Sequence, residues 1–252
     1  MIITPDTVIR IAEEEVGYLE KSWAAYNADK NIIYQKKAGA GTDNITKYGF
    51  EMHKVYPQVM DFPAFWCDAF VDWCFYKAYS VCNAKAMLGG NFDDYTVNSA
   101  QLYKNKKAWY KTPRVGDQIF FTNGTRICHT GLVYKVDARY VYPEEGNTSN
   151  SSIMERNGGC VAKKKYALND KRIAGYGRPK YDVPATCAMG DCNEDVKLLQ
   201  QLLIAKGYKL PRFGADGDFG NETANAVKQF RYDKGLNVSS MCDALCWSKL
   251  VA

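Results

Sequence analysis

Apolar residues recur at helical spacing from the start of the chain. After Thr4 and Pro5 come Val8, Ile9, Ile11, Ala12 and Val16, which predict an amphipathic helix opened by a proline in its first turn. Residues 21–58 lose that period and are rich in Gly, Asn and Tyr, the texture of a long functional loop region. The period returns over residues 63–79, where Phe65, Trp66, Ala69, Phe70, Val71, Trp73, Cys74 and Phe75 leave so little polar face that the helix must be buried on most sides. A further helical stretch is expected at 95–103, and then the period drops to two. Residues 117–121, 129–136, 139–145 and 173–176 read as strands parted by turn-forming residues. Helices first and strands afterwards predict an α+β domain with an antiparallel sheet.

The proline-flanked stretch Arg178-Pro179-Lys180-Tyr181-Asp182-Val183-Pro184 is the natural boundary, and it places a first domain at residues 1–180, a linker at 181–186 and a second module at 187–252. The module reads as three short helices at 193–206, 222–234 and 243–251. Val196, Leu199, Leu202 and Leu203 form the inward stripe of the first, and Ala226, Val227 and Phe230 that of the second. Between them Asp216-Gly217-Asp218-Phe219-Gly220-Asn221 is a glycine-punctuated turn, with Asn221 available to cap the second helix.

Composition adds limits. The chain has 252 residues, 46% hydrophobic and 24% charged, as in an ordinary soluble globular protein, and it holds no apolar run of the roughly 18 residues that span a bilayer. Net charge is +5, too small to point to nucleic acid, and the last 68 residues are balanced, so the excess lies in the first domain. The start of the chain lacks the basic and apolar segments of a signal peptide, so synthesis in the cytoplasm without export by that route is expected. Nine cysteines, an odd number in buried-looking segments, argue against a disulfide framework for the whole chain. In the module Cys187 and Cys192 precede the first helix and Cys242 and Cys246 begin the last. Free thiols or disulfides fit these spacings better than a zinc site, because neither is the usual CxxC.

The chemistry concentrates on two residues. Cys67 falls in the first turns of the apolar helix, where unpaired N–H groups and the positive dipole end favour a thiolate. There are only two histidines, His53 and His129, and His129 opens a strand. A thiol at a helix start and an imidazole at a strand start are the working parts of a cysteine acyl-transfer enzyme. If the reversal after Val136 is a three-residue loop, Lys135 pairs with Arg139 and Glu145 comes opposite His129 on the same face, where it would hold one ring nitrogen. A two-residue loop would instead set Gly146 opposite His129 and turn Glu145 away, leaving Asn147 as the orienting group.

Four segments together resemble the CHAP domain of cysteine/histidine-dependent amidohydrolases and peptidases. They are Trp66-Cys67-Asp68-Ala69-Phe70-Val71-Asp72-Trp73-Cys74, Pro113-Arg114-Val115-Gly116-Asp117-Gln118-Ile119-Phe120-Phe121, His129-Thr130-Gly131-Leu132-Val133 and Glu145-Gly146-Asn147-Thr148-Ser149. The resemblance implies a papain-like core, hydrolysis of amide bonds in bacterial peptidoglycan, Cys67 as nucleophile, His129 as base, Glu145 as orienting acid and Asn147 as an assisting polar group. No cofactor is implied. The calcium site of some members is not carried over, because the segment before Cys67 has only Glu51 and Asp61 as carboxylates between residues 47 and 65.

The module is similar to the peptidoglycan-binding type 1 domain, through Val196-Lys197-Leu198-Leu199-Gln200, Lys206-Gly207-Tyr208, Asp216-Gly217-Asp218-Phe219-Gly220 and Ala226-Val227-Lys228-Gln229-Phe230. The expected partner is therefore peptidoglycan, with neither nucleic acid nor membrane insertion, and the expected protein a phage endolysin. A bacterial autolysin or secreted effector shares this logic. A non-catalytic wall-binding or phage structural protein is the alternative of another class.

Overall fold

One antiparallel sheet carries the larger unit of the computed structural model, which describes residues 4–150, 157–181 and 186–251. Its strands are β1 (Trp109–Tyr110), β2 (Gln118–Thr122), β3 (Ile127–Val136), β4 (Tyr140–Thr148), β5 (Cys160–Lys163), β6 (Tyr166–Ala167) and β7 (Ile173–Gly177). They lie in the order β1, β7, β2, β3, β4, β5, with β6 also on β4. Before them in the chain come α1 (Pro5–Glu15), α2 (Trp23–Ala28), α3 (Lys47–Val55), α4 (Cys67–Met87) and α5 (Thr96–Asn105). This is the α+β class that the change of period predicts.

Helix α4 is the spine of the unit. Every residue from 66 to 75 is buried, as its all-round apolar pattern requires, and the helix packs on β3 and β4. It starts at Cys67, four residues later than its periodicity suggests, so the thiol is the first helical residue. The opposite side of the sheet has its own core of Ile119, Phe121, Val133, Val141, Tyr166 and Tyr176.

The region expected to be irregular, 21–58, holds α2, a 3-10 turn at Lys30–Tyr34, and α3. Local caps create these short elements: Ser22 Oγ accepts the Ala25 N–H at 3.1 Å, and Thr46 Oγ1 the Gly49 N–H at 3.1 Å. Tertiary packing then fixes α3, whose Tyr48 stacks on Trp66 with ring centroids 5.4 Å apart.

By its contacts the larger unit runs from Thr7 to Lys180, and the chain passes into the smaller unit at Tyr181. The expected linker at 181–186 falls mainly on 182–185, outside the described residues. The smaller unit holds α6 (Glu194–Ala205), α7 (Asn221–Asp233) and α8 (Ala244–Val251). Val196, Leu199, Leu203, Phe230, Trp247 and Leu250 fill its core, beside the buried Cys187, Cys242 and Cys246. Gln200, wholly enclosed, ties the glycine turn: its amide donates to Asp216 Oδ1, the Asp218 carbonyl and Thr223 Oγ1 at 2.8, 2.9 and 3.0 Å, and its oxygen accepts the Gly217 N–H at 2.7 Å. Asn221 does not cap α7. Gly220 occupies the cap position, so Asn221 is the first helical residue. No disulfide joins the module's cysteines, and no group of three or more metal-type side chains that could hold an ion occurs among the described residues.

Candidate active site

The position of Cys67 follows from the way α4 begins. Trp66, its cap residue, makes no side-chain cap bond, so it offers no oxygen to the N–H groups of the first turn. The next residue anchors the turn. Asp68 is fully buried, accepting Ser99 Oγ from α5 at 2.5 Å and Gln118 Nε2 from β2 at 2.9 Å. Burial raises its carboxyl to about 7 although both hydrogen bonds pull the other way. Cys67 thus stands on a helix end locked to two neighbouring elements, at the wall of a groove of about 120 Å³ lined also by Phe65, Asp94, Tyr95, Thr96, Arg126 and Cys128.

His129 is fully buried, and its Nε2–H donates to Glu145 Oε2 at 2.9 Å. Nδ1 makes no conventional hydrogen bond among the described residues and is the nitrogen left for the Cys67 side chain, which interacts with the ring. Burial disfavours charge on the imidazole, but the Glu145 carboxylate and the Cys67 side chain together outweigh it and lift the ring from 6.5 to about 10. Phe121 packs on the imidazole with centroids 5.9 Å apart and limits its rotation.

The register that brings Glu145 to the ring is not the expected one. The strands pair Val136 with Val141 and Lys135 with Tyr142, then, across a bulge at Tyr134, Val133 with Pro143 and Leu132 with Glu144. The turn is longer than expected because Asp137 Oδ1 accepts the N–H groups of Arg139 and Tyr140, both at 2.9 Å. Glu145 consequently sits beside Gly131, two residues along from the place opposite His129. A slip of two preserves the face, so the carboxylate still leans to the imidazole.

That diagonal reach needs Gly131. A Cβ at this position would stand 2.7 Å from Glu145 Cγ and 2.8 Å from the Glu144 carbonyl oxygen. Gly131→Ala is therefore expected to displace the Glu145 side chain and lower the rate of wall lysis at least ~10-fold, a loss of about 1.4 kcal/mol at the transition state. Turbidity clearance and a thermal melt on the same sample separate this effect from unfolding.

Asn147 is placed differently from the role the resemblance assigns. Its backbone is left-handed, with φ 53°, and its side chain turns away from the ring: Nδ2 donates to Asn44 Oδ1 at 3.1 Å and Oδ1 accepts the Gly159 N–H at 3.3 Å. Glu144, on the opposite face, is buried 3.7 Å from Lys163 Nζ, and burial raises it to about 8. His53 lies elsewhere, its Nδ1 2.6 Å from the Met60 carbonyl.

Sequence reasoning missed three supporting groups. Asp68 and Gly131 lie inside the quoted motifs yet carry no chemistry of their own. Tyr166 lies on the short strand β6; burial and then the Glu145 carboxylate push its phenol up, so it stays a neutral neighbour of that carboxylate. A buried Asp in an apolar helix was the one available signal.

Two parts of the chain match known protein families. Residues 58–147 match the CHAP domain family and residues 192–250 match PG_binding_1, a family of peptidoglycan binding domains. The chain is 44% identical over 52 residues to the N-acetylmuramoyl-L-alanine amidase CwlL of Bacillus licheniformis, covering 21% of this chain and 14% of that relative. It is 50% identical over 42 residues to the type VI secretion system spike protein VgrG3 of Vibrio cholerae, covering 17% of this chain and 4% of that relative. A solved structure of the Burkholderia AP3 phage endolysin is similar over 27% of this chain and 25% of its own, with 35% identity and a TM-score of 0.26. The matched stretches are thus small parts of larger proteins. Residues 58–147 of this chain form a papain-like CHAP domain, and residues 192–250 belong to the PG_binding_1 family.

Proposed function

We propose that this protein is a peptidoglycan hydrolase that cuts an amide bond of the bacterial wall with Cys67 as nucleophile. The observation that carries the reading is the fully buried His129, tied to Glu145 by the Nε2 to Oε2 contact at 2.9 Å and influenced by the Cys67 side chain at the start of α4. The thiolate attacks the carbonyl carbon, and N–H groups at the start of α4 receive the developing oxyanion. The imidazolium gives its proton to the leaving amine, and the neutral ring then takes one from the water that releases the acyl group. Glu145 keeps the ring in the tautomer that this exchange needs. Asp68 and Gly131 act through position alone.

The module would tether the chain to its insoluble substrate and raise the local concentration of scissile bonds. We read the pairing of the two domains, with residues 1–180 as the catalytic domain, as that of an endolysin made in a host cytoplasm and acting on the wall after release. Purified walls incubated with the protein should release new amino groups and no new reducing sugar ends. Mass spectrometry of the fragments then assigns the bond, either the muramoyl to L-alanine amide or a peptide bond of the stem or cross-bridge. Reducing ends in place of amines would overturn amide hydrolysis, and neither product would leave wall binding as the function.

A further inference from the structure

We propose that Arg126 is a specificity-determining residue of the Cys67 groove, binding a free carboxylate on the peptide residue that adjoins the scissile amide; the inference rests on the hydrolytic reading above. The loop that carries Arg126 is rigid without being buried. Asn123 Oδ1 accepts the N–H groups of Thr125 and Arg126 at 3.1 and 3.0 Å, and Thr122 Oγ1 accepts the Gly124 N–H at 3.0 Å while donating to the Arg126 carbonyl at 3.0 Å. The guanidinium is held against Tyr95, 5.4 Å from its ring centroid, and Nη1 donates only to the Ile127 carbonyl, at 3.3 Å. Among the described residues no carboxylate forms an ion pair with it.

Asp94, the other charged group of the groove, is engaged elsewhere, its Oδ2 accepting the Asp61 N–H at 2.8 Å. A guanidinium whose one side-chain bond is to a main-chain carbonyl keeps its remaining donors in a planar fork, the geometry that grips a carboxylate through two parallel bonds. Cys67 and Arg126 share a groove of only about 120 Å³, so the anion it accepts belongs to a residue next to the attacked carbonyl. Tyr95 and Phe65, 44% and 54% exposed, supply apolar walls for the rest of that residue. A carboxamide in the same place brings no charge and turns one of its own N–H donors toward the fork, so acid is distinguished from amide.

The test uses the full chain carrying Cys67→Ala, so that ligand is bound and not turned over. N-Acetylmuramoyl-L-alanyl-D-glutamic acid blocked as its γ-methylamide, which leaves only the α-carboxylate free, and the matching D-isoglutamine γ-methylamide, which has no free carboxylate, are titrated by calorimetry. The acid is expected to bind at least ~10-fold more tightly than the amide, a difference of about 1.4 kcal/mol. Arg126→Gln in the same background removes the difference, and Arg126→Lys restores part of it. Because Arg126 is exposed, thermal melts of these variants should coincide. Equal binding of the two peptides, no measurable binding of the acid, or a preference that survives Arg126→Gln overturns the inference. Wall cleavage by the parent protein is read separately. Lysis without acid preference sinks this site alone, whereas an Arg126-dependent preference without lysis sinks the hydrolytic reading and leaves the site standing.

Discussion

Cys67→Ala is expected to lower wall lysis at least ~10³-fold while binding to intact walls is unchanged. The size of the loss follows from the role: without the thiol no acyl bond forms, and the residual rate comes from the oxyanion donors and binding alone. A second cysteine lines the same groove, Cys128, so the choice of nucleophile is itself testable. Cys128 immediately precedes His129 in β3, and successive strand residues point to opposite faces, so its thiol is turned away from the imidazole. Cys67, by contrast, interacts with the ring and stands on the first turn of α4. Cys128→Ala should therefore keep lysis within about twofold of the parent. The reverse pattern, with Cys67→Ala active and Cys128→Ala dead, would move the nucleophile to the strand. Turbidity clearance for lysis and co-sedimentation with walls for binding separate chemistry from tethering.

What the sequence reveals of this site differs from residue to residue for physical reasons. The buried helix that presents Cys67 is legible because eight apolar residues leave it no solvent face, and a lone strand histidine is legible because only two histidines exist. Helix α3 is hidden, since its Gly, Tyr and His carry weak helix propensity and its stability comes from the Thr46 cap and from Tyr48 against Trp66. The strand pairing is harder. Turn length depends on the Asp137 carboxylate and the offset on a bulge at Tyr134, neither of which alters the period-two pattern. Two such departures combined into an even slip, which kept Glu145 on the face of His129. Asn147 shows the reverse case: a left-handed backbone at one residue carries its amide off to Asn44, and motif spacing does not record that rotation.

Glu145→Gln separates orientation of the ring from stabilisation of its charge. The amide oxygen still accepts the Nε2–H, so the tautomer can persist, but the negative charge that opposes the burial penalty is gone. Lysis is expected to fall on the order of 10²-fold near neutral pH. The pH profile should change as well. In the parent the imidazolium persists until the pH rises through about 10, and the variant should lose it at lower pH, so the alkaline limb of the profile moves down. Stability follows the same sign. A histidine raised from 6.5 to about 10 contributes stability that is fully present below pH 6.5 and is lost as the pH climbs through 10. The parent should therefore exceed the variant by on the order of 2 kcal/mol at pH 6 and the gap should narrow toward pH 10, read by urea melts at each pH. A gap that widens with rising pH, or an alkaline limb that stays in place, would show that Glu145 does not hold the charge on His129 and that the ring owes its proton to the thiolate alone.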